Sequence, residues 1–439
     1  MKISRAWKIA GVAVAAAAVA VAPAMASLNN TTLDGKSVIL TTAGSDTTFG
    51  AALNFSRIYN ELPGCDVTVF SGQATATYGS CTNTAAGSNT FNTTPATGAN
   101  PQHDSVVDEF PIGSGSGAKL VGDANIVTSH GLSVDLGRSS STPATTLNAI
   151  AFAKEGVSWF HFTKVAGKAT AHTSVTNLTP AQLADVYSGT FTTWNELAPT
   201  DPKLGAMKAY TKTVDGKVVA VKAGVTNGNP ETDKSKLYVN YLPLVVYSAQ
   251  DGSGTRKMWD GFMTTAKTGF TLTANAKKIF ENNADPIVTN GDAANAIFYF
   301  STARYAYRNG IALNSGNNKG YAFGNVSGNS TNRAAYTDTL GNVNDVAPTT
   351  ANIKAGTFSF GRFLFFSTRK VASASVKNYV RFLCSADMDT ATDAYGATIR
   401  PQIDKAIQSE GFIKLDLNPA DKDLDGNVAS TYCKTTLAK

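Results

Sequence analysis

The sequence predicts an α/β protein in which helices flank largely parallel sheets. Short apolar runs that suit buried strands alternate along the chain with amphipathic segments that suit helices. Hydrophobic residues make up 43% and charged residues 16% of the 439 residues, which is typical of a folded globular chain long enough for two domains. This alternation favours parallel sheets with helices on their faces over an all-α or all-β fold.

The first predicted elements are a strand and a helix joined by a polar loop. Ser37 to Thr42 suits a short buried strand, which the run Gly44-Ser45-Asp46 ends. Apolar residues then recur at helical spacing from Ala51 to Leu62. Residues 66 to 110 are rich in Thr, Ser, Asn and Gly and predict a surface insertion. Val134 to Leu136 predicts the next short strand.

The second half of the chain continues the same alternation. Helices are predicted after Pro180, after Thr255 and from Val376 to Leu383, whereas residues 313 to 350 are polar and predict loops. Five apolar runs predict strands, namely Ala149 to Phe152, Val157 to Phe162, Leu244 to Tyr247, Ala296 to Phe300 and Phe363 to Ser367.

The N-terminus has the pattern of an export signal over residues 1–26. Three basic residues precede an apolar run from Ile9 to Ala22, and Ala24-Met25-Ala26 has the small-x-small pattern of a cleavage site. A membrane anchor is the alternative, but a span needs about 20 apolar residues. No cysteine lies near the cleavage site, so we expect no lipid anchor and a periplasmic or secreted protein.

The four cysteines, Cys65, Cys81, Cys384 and Cys433, predict disulfides, because an even count is usual in exported chains. Three pairings are possible. We favour Cys65–Cys81 and Cys384–Cys433, because each joins residues that are near in sequence. No pair has C-x-x-C spacing, which disfavours a zinc or redox site.

Other kinds of site have little support in the sequence. The formal net charge of +6 is small and spread along the chain, so we expect no nucleic-acid partner. The chain contains no G-x-S-x-G, no H-E-x-x-H and no phosphate-binding loop ending in G-K-S/T. Asp421 to Gly426 begins like a calcium loop, but Tyr432 stands where that loop requires Glu. We therefore expect no metal, no cofactor and no catalytic residue.

One sequence motif occurs three times, and it is typical of anion-binding sites. A Gly/Ser/Thr loop precedes a helix at Ser45 to Phe49, at Gly113 to Gly117 and at Ser253 to Arg256. The first turn of a helix has unpaired backbone N–H groups and a positive dipole end. Glycine allows a ligand to approach the backbone, and hydroxyl groups donate further hydrogen bonds. Together the three loops predict an oxyanion site.

These loops and their order resemble the periplasmic phosphate-binding proteins of ABC transporters, which have the type 2 periplasmic-binding-protein fold. Two segments outside the loops are also similar to that family, and Phe298 departs from it by replacing a glycine. The matching segments are Gly44 to Phe49, Gly113 to Gly117, Val134 to Ser140, Leu178 to Trp194, Asp251 to Thr255 and Ala296 to Tyr299.

The resemblance implies a hinged protein of two lobes, each a mixed, mostly parallel sheet flanked by helices. Lobe one would comprise residues 33–150 and 355–439, with the polar insertion at 66–110. Lobe two would comprise residues 151–354. The chain would cross between the lobes near Ala149 and Phe358. Closure of the lobes would then complete the hydrogen bonds to a small anion.

The resemblance also implies which residues bind the ligand. Lobe one would contribute Thr48, Phe49, Ser114 and Ser140, and lobe two would contribute Ser253, Gly254 and Thr255. Our predicted ligand set adds neighbouring residues of the same loops, namely Asp46, Thr47, Gly115, Arg138, Ser139 and Arg256. Two positions depart from the family, which has Asp in place of Ser140 and Arg in place of Ala249. Our hypothesis is that Arg138 or Arg256 supplies the cation and that Asp46 supplies the proton acceptor.

The expected function is capture of inorganic phosphate, or a similar oxyanion, for an ABC transporter permease by a monomeric receptor. One alternative is a secreted surface or matrix protein with the same fold and an altered or lost ligand. Another is a phosphoester hydrolase that uses Ser253 or Ser114 as nucleophile.

Overall fold

A computed structural model of the chain describes residues 40–60, 113–123, 133–165, 174–221, 234–310, 336–384, 386–393 and 396–415. The strands are β1 (Thr42–Gly44), β2 (Leu136–Ser139), β3 (Leu147–Val165), β4 (Asn177–Leu178), β5 (Tyr210–Val214), β6 (Lys217–Val221), β7 (Val245–Ala249), β8 (Lys277–Ile279), β9 (Ala296–Ser301), β10 (Tyr336–Leu340), β11 (Asn342–Val343), β12 (Gly361–Arg369) and β13 (Ile413–Lys414).

Helices occupy both halves of the described chain, and a short 3-10 helix covers Ala386–Asp389. The α-helices are α1 (Phe49–Asn60), α2 (Ser114–Gly122), α3 (Pro180–Tyr187), α4 (Trp194–Leu197), α5 (Lys234–Leu237), α6 (Gly254–Ala266), α7 (Asp285–Thr289), α8 (Thr302–Gly310), α9 (Thr350–Lys354), α10 (Ala374–Cys384) and α11 (Ile399–Ser409). The start of α3 follows from its sequence, because Thr179 and Gln182 form a reciprocal capping box and Pro180 begins the helix.

A nine-stranded sheet runs through the molecule in the order β1-β2-β12-β3-β9-β7-β8, and β10 and β13 also pair with β3. The predicted α/β class is confirmed. The pairing is more antiparallel than we expected, because β3 runs antiparallel to β12, β9, β10 and β13. Parallel pairs lie towards the two ends of the sheet, where β1 joins β2 and β7 joins β8 and β9.

Strand β3 connects two hydrophobic cores. Its residues Ile150 to Ala153 pack with α1, α10 and α11 in the first core. Val157 and Trp159 belong instead to a second core, which includes side chains of α3 and α6. The chain therefore passes from one core to the other between Ala153 and Val157, and Phe358 and Phe360 lie in the second core just before β12 returns to the first.

Several predicted strands have different limits in the structure. The first begins only at Thr42 and continues through Gly44, because Thr42 to Gly44 pair in parallel with β2. The second begins at Leu136 instead of Val134 and extends to Ser139, because it also pairs with β12. The runs from Ala149 and Val157 form the single strand β3, and the loop predicted at 313–350 contains β10, β11 and part of α9. Pairing with neighbouring strands explains each extension.

Some predictions fall outside the described residues. They are the export signal at 1–26, the insertion at 66–110, the calcium-like segment at 421–426, and Cys65, Cys81 and Cys433. Cys384 is disulfide-bonded, and its pairing with Cys433 stays a prediction. Within the described ranges, no helix is long and apolar enough to cross a membrane. The same ranges contain no cluster of His, Cys, Asp and Glu able to hold a metal ion.

Candidate functional site

The first predicted loop lies between β1 and α1, and its polar residues are buried. Gly44 has φ of 126°, and a Cβ atom there would overlap with the carbonyl oxygen of Arg138. Only glycine therefore fits where the loop leaves the sheet. Ser45, Asp46, Thr47 and Thr48 follow with at most 1% exposure. Such a dense group of buried polar side chains needs partners from elsewhere in the fold.

The opposing loop lies between β7 and α6, and it brings a second set of hydroxyl groups to the same place. Ser253 is the N-cap of α6, and its Oγ accepts a hydrogen bond from Arg256 N at 3.0 Å. Thr255 in the first turn of α6 is fully buried, and its Oγ1 lies 3.3 Å from Thr47 Oγ1. The starts of α1 and α6 thus meet through their hydroxyl groups. We call the space between these two loops the cradle.

An acidic side chain occupies the centre of this cradle. Glu281 Oε1 accepts hydrogen bonds from Thr47 Oγ1 at 2.8 Å and from Thr47 N at 3.3 Å. Glu281 Oε2 accepts a short hydrogen bond from Ser253 Oγ. Glu281 is fully buried, so its carboxylate depends on these donors in place of water.

Asp46 lies beside this carboxylate. Its Oδ2 accepts from Gln250 Nε2 at 3.1 Å, whereas the buried Oδ1 has no hydrogen-bond partner in the part of the chain that the structure describes. Burial, and then the charge of Glu281, raises the pKa of Asp46 well above its usual range, although Arg138 opposes this shift.

A second group of hydroxyls lies on the other side of the α6 start. Ser114 Oγ accepts from Ser140 N at 2.9 Å and lies 3.3 Å from Ser140 Oγ. Gly254 packs directly against this pair, since a Cβ atom there would overlap with Ser114 Oγ. Gly115 N donates to Gly252 O at 3.2 Å, which joins the two sides through the main chain. The loops at 113–117 and 251–255 are therefore in close contact.

The other predicted ligand residues point elsewhere in this conformation. Arg138 is fully buried behind the first loop, where its guanidinium donates to Thr42 Oγ1 at 2.5 Å and to Ser45 O at 3.3 Å. The guanidinium also lies 5.1 Å from the ring centroid of Phe49. Thr48 Oγ1 donates to Ser45 O, and Ser139 Oγ donates to Ser141 O. The hydrogen bonds of these side chains stabilise the loops that carry the hydroxyl donors of the site.

Arg256 lies at the rim, where it pairs with Asp251 and with Asp260. It lines a cavity of about 430 Å³ between the two sides. Ser114, Ser139 and Ser141 line one side of this cavity, and Ser253 and Lys257 line the other. The cavity gives solvent a route towards the hydroxyl groups, and the wall with Arg256 and Lys257 also carries Asp251 and Asp260.

A domain model of the PBP superfamily matches residues 144–387, which is more than half of the chain. The chain belongs to the PBP superfamily. The prediction of a periplasmic-binding-protein fold is thereby confirmed at the level of the superfamily. No curated protein matches this PBP-superfamily chain in sequence.

Solved structures with related folds are similar to this PBP-superfamily chain over most of its length. A Clostridium perfringens structure with bound phosphate is 16% identical, has a TM-score of 0.46, and covers 86% of this chain and 99% of that chain. An ABC-type phosphate transport receptor from Vibrio cholerae is 14% identical, with a TM-score of 0.45 and coverage of 86% and 100%. PstS from Borrelia burgdorferi is 12% identical, with a TM-score of 0.40 and coverage of 86% and 99%.

Three residues of the candidate site were missed by the sequence analysis. Gln250 directly precedes the fourth loop, and its position could have suggested a role. Asn282 donates from Nδ2 to Thr47 Oγ1 at 3.3 Å, and Glu281 accepts from both sides of the site. Neither belongs to a Gly/Ser/Thr loop before a helix, and 234 residues separate Glu281 from Thr47. Only the folded chain brings these side chains to the cradle.

Proposed function

We propose that this protein is an exported receptor that clamps a small oxyanion, phosphate above all, and delivers it to an ABC transporter permease. One observation carries the proposal. Hydroxyl and amide donors at the starts of α1 and α6 converge on one pair of carboxylate oxygens, from Thr47 on one side and Ser253 on the other. Neutral donors that meet in a buried space bind an oxyanion through hydrogen bonds alone.

The two cores support a clamp made of two lobes. The predicted bounds, 33–150 with 355–439 for lobe one and 151–354 for lobe two, need a shift of a few residues, because Ala153 packs in the first core and Phe360 in the second. We propose that the chain crosses between the lobes after Ala153 in β3 and again after Phe360. The converging donors then come from different lobes, since Thr47 precedes α1 of the first core and Ser253 begins α6 of the second. Lobe closure brings them together and excludes water from the anion.

Asp46 suits an anion that carries a proton. Its buried Oδ1 lacks a partner among the described residues, and a hydroxyl group of hydrogen phosphate would satisfy it. Sulfate has no such proton at neutral pH. We propose that Asp46, in its ionised form, takes the place of the acidic residue that the family has at the position of Ser140 and favours phosphate over sulfate.

The test is calorimetric titration of the mature, ligand-stripped protein, first with phosphate and then with sulfate. We expect one phosphate per chain. Ser253→Ala should weaken binding by about ten- to 100-fold, because a hydrogen bond to a charged group contributes about 1.5–3 kcal/mol. Thr179→Ala is the control, because it removes the comparable helix cap of α3 far from the cradle.

Each other outcome points to a different function. A folded protein that binds neither anion supports the secreted surface or matrix protein. Turnover of p-nitrophenyl phosphate that Ser253→Ala abolishes would support a hydrolase, for which Glu281 beside Ser253 offers a base. We favour binding without chemistry, because Ser253 is only 3% exposed and its hydroxyl already holds the start of α6.

A further inference from the structure

The donors of the cradle already have an acceptor, which is supplied by the chain itself. Thr47 N and Oγ1 and Ser253 Oγ all donate to the carboxylate of Glu281. These groups come from the starts of two helices on opposite sides of the cleft. A carboxylate that takes hydrogen bonds from both sides makes the same kind of contact that a bound oxyanion would make.

The turn that carries Glu281 is held firmly in this position. Its neighbour Asn282 has φ of 59°, a conformation that asparagine adopts more readily than most residues. Asn282 Oδ1 accepts from Ser301 N at 2.9 Å, and Glu281 N donates to Gln250 Oε1 at 2.8 Å. Hydrogen bonds on both sides of the turn therefore direct the Glu281 side chain into the cradle.

We propose that Glu281 is a tethered anion that occupies the oxyanion position and holds the clamp closed until a free oxyanion displaces it. The proposal rests on the proposed function, since it takes the cradle to be the ligand site. The carboxylate and the ligand need the same donors, and both are negative, so they exclude each other. Glu281 thus acts as a competitive inhibitor built into the chain.

Tethering makes this competition strong. A group attached by a short linker has an effective concentration in the millimolar range, so it occupies its site unless the free ligand binds much more tightly. The apparent affinity for the ligand equals the intrinsic affinity multiplied by the fraction of molecules in which Glu281 has left the site. Glu281 would therefore reject weakly binding anions and set the threshold concentration of phosphate at which the receptor loads.

The test compares phosphate titrations of the full mature protein and three variants. Glu281→Ala and Glu281→Gln should both bind phosphate about tenfold more tightly than the wild type, or better, because the competing charge is gone. Asp285→Asn is the matched control. It removes one negative charge from the same segment without altering a donor of the cradle, so its affinity should equal that of the wild type.

The outcomes separate the two proposals. Wild-type protein that binds phosphate as tightly as both Glu281 variants would overturn the tethered-anion proposal and leave the receptor function standing. Failure of every folded variant to bind phosphate or sulfate would overturn both. Weaker binding by Glu281→Gln would make Glu281 part of the ligand site, which also contradicts the competition. Thermal melting of each variant shows whether it is folded.

Discussion

At the scale of single residues, the site depends on a glycine that allows hydroxyl groups from opposite sides to meet. Gly254 begins α6 and lies against Ser114 and Ser140. A Cβ atom at this position would lie 2.5 Å from Ser140 Oγ and would overlap with Ser114 Oγ. No relaxation of a long side chain can relieve this overlap, because both neighbours are short serines held by a mutual hydrogen bond.

Gly254→Ala should therefore keep the fold but weaken anion binding by about tenfold or more. The added methyl group would separate the two sides of the site, and the loss of one hydrogen bond to the anion lowers the affinity by about that factor. Alanine suits a helix better than glycine, so the helix itself should not suffer. Calorimetric titration with phosphate and a thermal melt check both statements.

Gly261→Ala is the control on the same helix, because nothing lies within 4 Å of a Cβ atom there. It should bind phosphate normally and gain about 0.5–1 kcal/mol in the free energy of unfolding. Equal phosphate affinities for the two variants would contradict a close approach at Gly254.

At the scale of elements, β3 and β12 join the cores and meet at a buried ion pair. Arg362 on β12 donates from Nε and Nη2 to Glu155 Oε1 on β3 at 3.0 and 2.5 Å. Arg362 Nη1 also donates to Ser140 O at 3.0 Å. Both charged side chains are at most 1% exposed. The pair therefore links the proposed hinge strands to a residue of the candidate site.

Arg362→Met should lower the free energy of unfolding by about 3–5 kcal/mol, because it leaves the Glu155 carboxylate buried without its cation. The double variant Arg362→Met/Glu155→Leu should lose less, since no lone charge remains. Denaturant unfolding measures both values.

Lys414→Met supplies the comparison with an exposed pair, because Lys414 and Asp404 have side-chain exposures of 50% and 22%. It should cost less than about 1 kcal/mol. A similarly small loss for Arg362→Met would show that the Glu155–Arg362 pair does not stabilise the hinge strands.

At the scale of the whole molecule, the loops before α2 and α6 lie in direct contact, as the proposed clamp would require in its closed state. Gly115 N donates to Gly252 O at 3.2 Å, and a Cβ atom at Gly113 would lie 2.5 Å from Gly252 O. The main chains of the two sides are thus in direct contact beside the cradle. The tethered-anion proposal explains this contact, because Glu281 accepts hydrogen bonds from both sides.

Spin labels on α2 and α6 would report this closure, for instance at Lys119 and Thr265, both of which are exposed. In the wild type we expect a short distance with and without phosphate, because Glu281 holds the clamp. In Glu281→Ala the distance should lengthen without ligand and shorten when phosphate is added. A wild-type clamp that is open without phosphate would contradict this expectation.

The sequence by itself determined the α/β class, the membership of the PBP superfamily and the loops at the starts of α1 and α6. These features are local, because strand and helix periodicity and the Gly/Ser/Thr runs are contained in short segments. The limits of β1, β2 and β3 were less predictable, because they depend on pairing with strands that are distant along the chain.

Only the tertiary structure decided what meets at the cradle. In the folded chain, Thr47, Ser253 and Thr255 lie together, and Arg138 lies behind the first loop. Glu281, which is 234 residues from Thr47 in sequence, also contacts this group. A single glutamate in a turn has no periodicity or motif that could reveal its role. Its position follows from the packing of two cores about β3, and that packing is a property of the whole fold.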